Sequence, residues 1–428
     1  MKKILFVSFF SPPMGSGGSQ RILKILNNLK GFEKYLLTAN YPSIRYKDEF
    51  LKVSDDVKIF RVYYKDPRLF FPKALLKLIK RKKKEGGGID VVEEFKVLKG
   101  GLLSKLKLSF FIPDEKVTWV KDASLEGKRI IKENEIDTVI TTGPPHSVHL
   151  IGLKLKTLGI KWVMDLRDLW SDNPFVLYPG KVREKNRRIE ENCIREADLI
   201  LTVTKSFKER LLRTYKFLSE ERVKVVYGGY DENDFNVSPK KLKGFTISYA
   251  GSFYSIQTPV YFLKAVREVI DEDEEIKRNI KVYILGPFEE NTERIASSLG
   301  LKNYVVVTGF MPHREAISYI LGSSVLFLYL ARDGFETVPQ KTFEYMRAKK
   351  RILALVPDGE CKEILETCGF KDNVDPEDVT KIKKKIKELF SLWKRGEEFK
   401  PDIDCVKKYS MDNLVDVFIN SLKEGEVI

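Results

Sequence analysis

The chain has 428 residues, 43% of them hydrophobic, and its 76 Lys and Arg against 61 Asp and Glu leave a formal charge of +15. That length is ample for two domains of ordinary size, and no apolar run approaches the ~18 residues that span a bilayer. Four scattered cysteines without a C-x-x-C pair, and three histidines, support neither a disulfide framework nor a zinc site. The positive excess calls for an anionic partner, whether nucleic acid, a phosphorylated donor or a lipid surface. A cytoplasmic location is expected.

The opening M-K-K-I-L-F-V-S-F-F is broken by Pro12-Pro13 with no clean cleavage site behind it. It reads as a first buried strand, Lys3 to Phe10, and not as a leader. The turn S-P-P-M-G-S-G-G-S-Q-R follows. Gly15, Gly17 and Gly18 permit positive φ and close backbone approach, and Ser19 can cap a helix Gln20–Leu29. Such a turn is a phosphate cradle or a tight turn; it matches neither the P-loop nor G-x-G-x-x-G. Strands follow near Tyr35–Thr38 and Val57–Tyr63. Residues 65–84 then carry nine cations and one Asp among Leu, Ile and Phe. They read as a membrane-surface helix or as a solvated loop with a helix packed on the core, and no nucleic-acid module accompanies them.

Ile136–Thr142 is a strand ending in G-P-P-H-S-V-H, with His146 at the strand-to-helix turn and His149 inside the helix. A histidine there can hydrogen-bond a sugar, act on an acceptor hydroxyl, or cap the helix. Lys161–Asp165 is the next strand and runs into D-L-R-D-L-W-S-D. Arg167 can grip a phosphate or pair with Asp165 or Asp168; Asp168 is an acceptor-side candidate. Then come a helix Arg183–Arg195, a strand Ala197–Thr204, a helix Lys205–Tyr215 and a strand from Val223 into G-G-Y-D-E-N-D-F. Residues 238–244 read as a linker.

The pattern restarts with F-T-I-S-Y-A-G-S, a strand into Gly251-Ser252 and a helix from about Pro259. Strands Lys281–Leu285 and Tyr304–Thr308 follow, the latter leading to G-F-M-P-H, where His313 is expected to cap a helix. Ser324–Ala331 is a buried strand. After it, Glu336 lies in a loop, Pro339 suits the first turn of a helix carrying Glu344, and Arg351–Val356 is the next strand. A loop at the carboxyl end of a parallel strand followed by a helix is where α/β sheets bind phosphorylated ligands. Asp375 can cap a Lys-rich helix running to about Trp393, and Tyr409–Leu422 is a final helix.

Three stretches carry a resemblance. E-T-V-P-Q-K-T-F-E-Y-M from Glu336 resembles the E-x7-E segment of the retaining glycosyltransferases of family four. T-T-G-P-P-H-S-V-H with D-L-R-D-L-W resembles the surface-polysaccharide branch of that family. G-G-Y-D-E-N-D-F resembles its N-G-x-D-x-x-x-F turn, with Gly228 in place of Asn. The resemblance covers nearly the whole chain outside about residues 65–110. It implies the α/β GT-B fold, two doubly wound Rossmann-like domains facing each other across a cleft. The first would be residues 1–240, on the acceptor side, with an insertion at 65–110. The second would be residues 241–405, binding a nucleotide sugar, and residues 406–428 would form a helix crossing back to the first domain.

The resemblance also implies roles. Glu336 lies beside the transferred sugar, and His146 and Asp168 are the other catalytic candidates. Glu344 takes the ribose hydroxyls and Phe310 packs the base. Backbone amides at Thr337 and Val338, with Gly17, Gly18, Gly251, Ser252, Lys341 and Arg167, face the donor. Relatives often place Arg or Lys just after the glycine of the second domain. Here Ser255, Ile256, Gln257 and Thr258 stand there, so Lys341 or Arg332 must supply the charge. The expected function is metal-independent, retaining transfer of a sugar from a nucleotide-diphosphate donor to a glycan or lipid-linked acceptor. The expectation includes no further cofactor, no nucleic acid, and an anionic membrane surface as a partner through residues 65–84. A sugar-nucleotide epimerase of the same fold, or a GT-B binding or scaffold protein with a degenerate site, are the alternatives.

Overall fold

The computed structural model describes residues 1–428 except 16, 42–45, 68–110, 177, 254 and 287–289. Most of the basic segment 65–84 thus lies outside the described residues. Two parallel sheets organise the rest. The first contains β1 (Lys2–Ser8), β2 (Phe32–Asn40), β3 (Val57–Tyr63), β4 (Thr138–Gly143), β5 (Lys161–Leu166), β6 (Leu199–Thr202) and β7 (Val223–Val225). Their order is β3-β2-β1-β4-β5-β6-β7. The second contains β8 (Phe245–Ala250), β9 (Ile280–Leu285), β10 (Val305–Gly309), β11 (Val325–Tyr329), β12 (Arg351–Leu355) and β13 (Asn373–Val374), ordered β10-β9-β8-β11-β12-β13. The order reverses at β1/β4 in one sheet and at β8/β11 in the other, and ligands of open α/β sheets bind outside such points.

β1 shows why both sheets are parallel. Leu5 and Val7 enter one core cluster and Ile4 and Phe6 another, so neither face meets water. Only a sheet with helices on both sides buries a strand this way. One of those helices comes from the far end of the chain. α14 (Met411–Glu424), capped by Ser410, lays Met411, Leu414, Val415, Phe418 and Leu422 against Ile4, Phe6, Ile22 and Leu26 of the first domain. The incoming and outgoing strands meet where Tyr230 N–H donates to Tyr409 O at 3.1 Å and Met411 N–H to Tyr230 O at 2.9 Å. The two-domain GT-B architecture with its returning helix is thus present.

Four local expectations are corrected. Cys368 and Cys405 form a disulfide, with Cα atoms 5.2 Å apart. It joins the end of α11 (Glu360–Thr367) to α13 (Ile403–Lys407). Nothing in a spacing of 37 residues marks them as neighbours; the packing of the two helices does. Ser19 lies within α1 (Gly17–Asn28) and not at its start. The cap of α12 (Val379–Lys394) is Asp378, which accepts from Lys381 N, while Asp375 is drawn to Arg332 at 2.8 Å. His313 heads α9 (His313–Gly322), but its ring turns into a charged cluster between the domains.

Candidate active site

The loop after β11 and α10 (Lys341–Arg347) build the second domain's half of the site. A tight turn starts the loop, with Thr337 N–H donating to Gly334 O at 2.8 Å, and Thr342 N–H donates to Pro339 O at 2.9 Å as α10 begins. Val338, Phe343, Tyr345 and Met346 are buried. Tyr345 OH accepts from Ala250 N at 2.7 Å, fixing α10 to the end of β8. That anchoring brings Lys341 over the Tyr249 ring, its Nζ 3.7 Å from the centroid. A Cβ at Gly251 would lie 2.7 Å from the same Nζ, and Gly251 has φ +124. The positive φ is what favours glycine there, since the tip of a lysine side chain can move aside. Among the described residues no carboxylate bonds this ammonium. Burial pulls its pKa down to about 7 against the raising influence of Glu344. Arg332 pairs instead with Asp375 and Glu377 at the surface, so Lys341 is the cation beside Gly251-Ser252.

Glu344, on the next turn of α10, meets the first domain. Lys24 of α1 reaches it at 3.1 Å and Asp234 at 3.0 Å. His313 Nε2 lies 3.2 Å from Asp234 and 3.5 Å from Glu344. Burial alone would lower the Lys24 and His313 pKa values; the two carboxylates outweigh it and raise both. Burial would raise Asp234, but His313 and Lys24 hold it down at about 2. The ligating atoms of Asp234, His313 and Glu344 all fall within 4.8 Å of one another, a spacing a metal ion could use. The Lys24 ammonium, bonded to both carboxylates, meets the same charge requirement.

Glu336 also faces the first domain. Arg210 of α5 (Lys205–Thr214) grips both its oxygens at 2.9 Å, and Arg213 lies 3.9 Å away. A planar guanidinium across a carboxylate is the strong form of this pair. Glu336 O accepts from Thr204 Oγ1 at 3.0 Å. Close by, Glu360 is buried at the head of α11 and accepts from Lys205 N, Ser206 N and Ser206 Oγ at 2.9 Å and from Tyr227 OH at 2.6 Å. A Cβ at Gly228 would lie against the end of the Gln340 side chain, whose Nε2 donates to Gly229 O.

In the first domain, open space surrounds Gly17, whereas a Cβ on Gly18 would meet Phe10 at 2.8 Å and Arg167 at 3.2 Å. Gly15 abuts Phe310 of the second domain, a Cβ there lying 2.6 Å from the ring, and Phe310 packs on Tyr46 at 5.1 Å. Arg167 bonds neither Asp165 nor Asp168. It donates to Gly143 O at 3.1 Å and to Pro144 O. Asp165 is held by Arg21 and by Thr142 Oγ1 at 2.7 Å. Asp168 has no hydrogen bond among the described residues, and burial raises its pKa, partly offset by Arg167. His146 stacks flat on Trp170, centroids 4.9 Å apart, with Nδ1 buried and unpartnered. Burial pushes its pKa well down, so the ring is neutral. It does not cap α3 (Ser147–Leu155) with its side chain. Asp114 does so, accepting from Ser147 N at 2.9 Å and Ser147 Oγ at 2.5 Å.

The structure brings Lys341 to Gly251, Glu344 to Lys24 of α1 and Phe310 to Gly15, and it sets Glu336 against Arg210 of α5. His146, Arg167 and Asp168 gather at the ends of β4 and β5. Sequence reasoning missed Lys24, Arg210, Asp234, Glu360 and Asp114; their partners are distant in the chain, and even Asp234, inside the G-G-Y-D-E-N-D-F stretch, carries no local sign of Lys24 or His313.

Residues 231–402 match the family model described as glycosyl transferases group 1, and residues 93–234 match glycosyltransferase family 4. No curated protein matches. Sucrose-phosphate synthase from Thermosynechococcus elongatus is similar in structure, with a TM-score of 0.66 and 12% identity over 99% of each chain. So is Anabaena HepE in complex with UDP-glucose, at 0.62 and 12% over 99% of this chain and 100% of that one. WaaG, a glycosyltransferase involved in lipopolysaccharide biosynthesis, gives 0.57 and 11% over 99% of each. Both halves of the chain thus carry glycosyltransferase domains, family 4 over residues 93–234 and group 1 over residues 231–402, on a GT-B fold.

Proposed function

We propose that the chain is a retaining glycosyltransferase that moves a sugar from a nucleoside-diphosphate donor to a glycan or lipid-linked acceptor, without a metal. The observation that carries this reading is Lys341: a mostly buried cation that no carboxylate bonds among the described residues, lying against a glycine at the switch point of the second sheet. A diphosphate is the ligand that completes such a site, since it brings charge that the ammonium lacks and fits where a side chain cannot.

In this reading Glu344 exchanges Lys24 for the ribose hydroxyls when the donor enters, and Phe310 borders the base. Glu336, released from Arg210 or sharing it, orients the sugar hydroxyls. As the glycosidic bond loosens, negative charge grows on the departing diphosphate, and Lys341 with the fixed amides around Val338 stabilises it. The acceptor hydroxyl enters on the same face as the leaving group, on the side of His146 and Asp168. Asp168, its pKa raised by burial, suits a role as proton acceptor there.

The test is a thermal-shift panel of UDP, GDP, ADP and CMP on wild type and Glu344→Ala, followed by donor turnover with Glu336→Gln. One nucleotide should stabilise wild type and not Glu344→Ala, and Glu336→Gln should keep that stabilisation while turnover falls. No stabilisation by any nucleotide, or unchanged turnover in Glu336→Gln, overturns the reading. Release of free nucleoside diphosphate with no acceptor present would instead favour a sugar-nucleotide epimerase.

A further inference from the structure

Two buried carboxylates cross the boundary between the domains in opposite directions, and each closes the start of a helix on the far side. Glu360, at the head of α11 in the second domain, meets α5 of the first. A helix leaves its first amides without partners of its own. At α5, Thr204 Oγ1 accepts from Phe207 N at 3.0 Å, and Glu360 accepts from Lys205 N and Ser206 N, each at 2.9 Å. Ser206 Oγ and Tyr227 OH donate to the same carboxylate. Asp48 does the converse. Its own N–H donates to Pro13 O at 2.8 Å and its Oδ1 accepts from Phe50 N at 3.1 Å, so it belongs to the first domain. Its Oδ2 accepts from His313 N at 2.8 Å, the first amide of α9 in the second domain. Pro312, which precedes that helix, caps it with no side-chain bond. Glu360 and Asp48 are 6% and 1% exposed. Among the described residues neither is ion-paired; their oxygens go to amides and hydroxyls.

Each helix closed in this way presents a side chain to one of the two carboxylates around Pro339. On α5, Ser206 and Arg210 are four positions apart and share a face. The face that meets Glu360 therefore carries Arg210 onto Glu336, and Thr204 Oγ1 donates to Glu336 O at 3.0 Å from the same helix end. On α9 the capped residue is itself the contact. Asp48 holds the His313 amide, and the His313 ring reaches 3.5 Å from Glu344. A carboxylate at a helix start is held by the amides and by the positive end of the helix dipole. Each cap thus fixes where its helix lies along the boundary. A displacement of about 1 Å at a positioned group can cost up to about a hundredfold in rate.

Resting on the glycosyltransferase reading, we infer that Glu360 and Asp48 are positioning residues for the donor site: Glu360 acts through α5 on Glu336, and Asp48 acts through α9 on Glu344. Neither touches the donor. Glu336 orients the sugar, so Glu360 governs turnover. Glu344 takes the ribose, so Asp48 governs donor affinity.

The experiment uses Glu360→Gln and Asp48→Ala in the full chain. Glu360→Gln keeps the shape of the side chain but turns an amide donor toward one of the two helix amides, so one cap bond is lost without a cavity. Hydrogen exchange followed by mass spectrometry is read first and needs no donor. Glu360→Gln should speed exchange about tenfold in residues 204–213 and in the loop 334–340, and leave 313–322 as in wild type. Asp48→Ala should speed exchange in 313–322 and leave 204–213 unchanged. A loop that exchanges at the wild-type rate in Glu360→Gln, or an equal rise in both helices in either variant, overturns the inference. Kinetics follow with the sugar conjugate of the nucleotide that stabilises wild type. Glu360→Gln should lower kcat about tenfold with KM kept within about twofold, and Asp48→Ala should raise KM about tenfold with kcat kept within about twofold. A merely structural role would lower the active fraction in both variants without that split, and the same change of kcat and KM in both overturns the inference. A wild type that no nucleotide stabilises overturns the donor reading alone, because the exchange pattern still decides whether the two caps set the Glu336 loop and α9.

Discussion

In the donor site proposed above, the buried ammonium of Lys341 would couple diphosphate binding to pH. A lysine ordinarily titrates near 10.5 and this one near 7. At about 1.4 kcal/mol per tenfold, burial disfavours its charged form by roughly 5 kcal/mol. At about pH 8 the free protein would carry the proton on only about a tenth of its molecules. A bound diphosphate reverses that preference, so binding must take up nearly one proton. The dissociation constant of the stabilising nucleotide should then weaken close to tenfold for each pH unit above about 8. Below about pH 7 that slope vanishes, apart from the ligand's own titration near 6. Calorimetry in two buffers of different ionisation enthalpy reads the proton directly. Lys341→Met should bind more weakly by about one to two powers of ten and lose the alkaline slope. An equal slope in wild type and variant would refute the reasoning. The sign for the free protein is opposite. A depressed lysine is held neutral by the fold, so its contribution to stability rises as pH increases from about 7 toward the unfolded value near 10.4.

Glu360→Ala should leave the amides of Lys205 and Ser206 and the Tyr227 hydroxyl without their acceptor, costing roughly 2–4 kcal/mol in urea unfolding. The exposed Glu398→Ala should stay within about 0.5. His313 gains its raised pKa from Glu344 and Asp234. Its contribution is therefore present below about pH 6.5 and is lost as pH rises through the folded value. The stability difference between wild type and His313→Gln should shrink over that interval; a constant difference would contradict the cluster. Asp234 behaves in the reverse sense: held at about 2, it contributes above about pH 4 and fades as acid approaches 2. Asp234→Asn should flatten that acid limb. Gly152→Ala would push a methyl onto the Trp162 indole nitrogen, which donates to Thr141 Oγ1 at 2.9 Å. A loss of about 2–4 kcal/mol, with red-shifted tryptophan fluorescence, is expected.

Much of the scaffold is written locally. β1, β11 and β12 are short apolar runs closed by Gly or Pro, and the loop–helix bearing Glu336 and Glu344 follows from Pro339 and the buried spacing of Phe343 and Met346. Such signals act over a few residues. What escaped them are contacts created by docking one domain on the other. Lys24 and Glu344 are 320 positions apart, and Arg210 and Glu336 are 126 apart. A lysine on an amphipathic helix and an arginine on another look like ordinary solvated charges until the facing surface is known. The same reason hid the His313 ring and the pairing of Cys368 with Cys405. From its surroundings in the sequence Arg167 is expected to grip a phosphate or to pair with Asp165 or Asp168. Its guanidinium turned instead to the carbonyls of the G-P-P turn, because Arg21 had already taken Asp165.

The returning helix α14 has a consequence for how the molecule is made. Ile4, Phe6 and Ile22 leave the ribosome long before Met411 to Val427, which pack on them from the far side of the second domain in sequence. Until then that cluster of the first domain, with α1 already on it, lacks the cover of α14, while the second sheet already has all its strands by Val374. The natural order of maturation is therefore inverted: the later domain can consolidate before the earlier one is sealed. An apolar face left waiting this long is where a folding helper would bind a nascent chain, and where a chain cut short near residue 400 would aggregate.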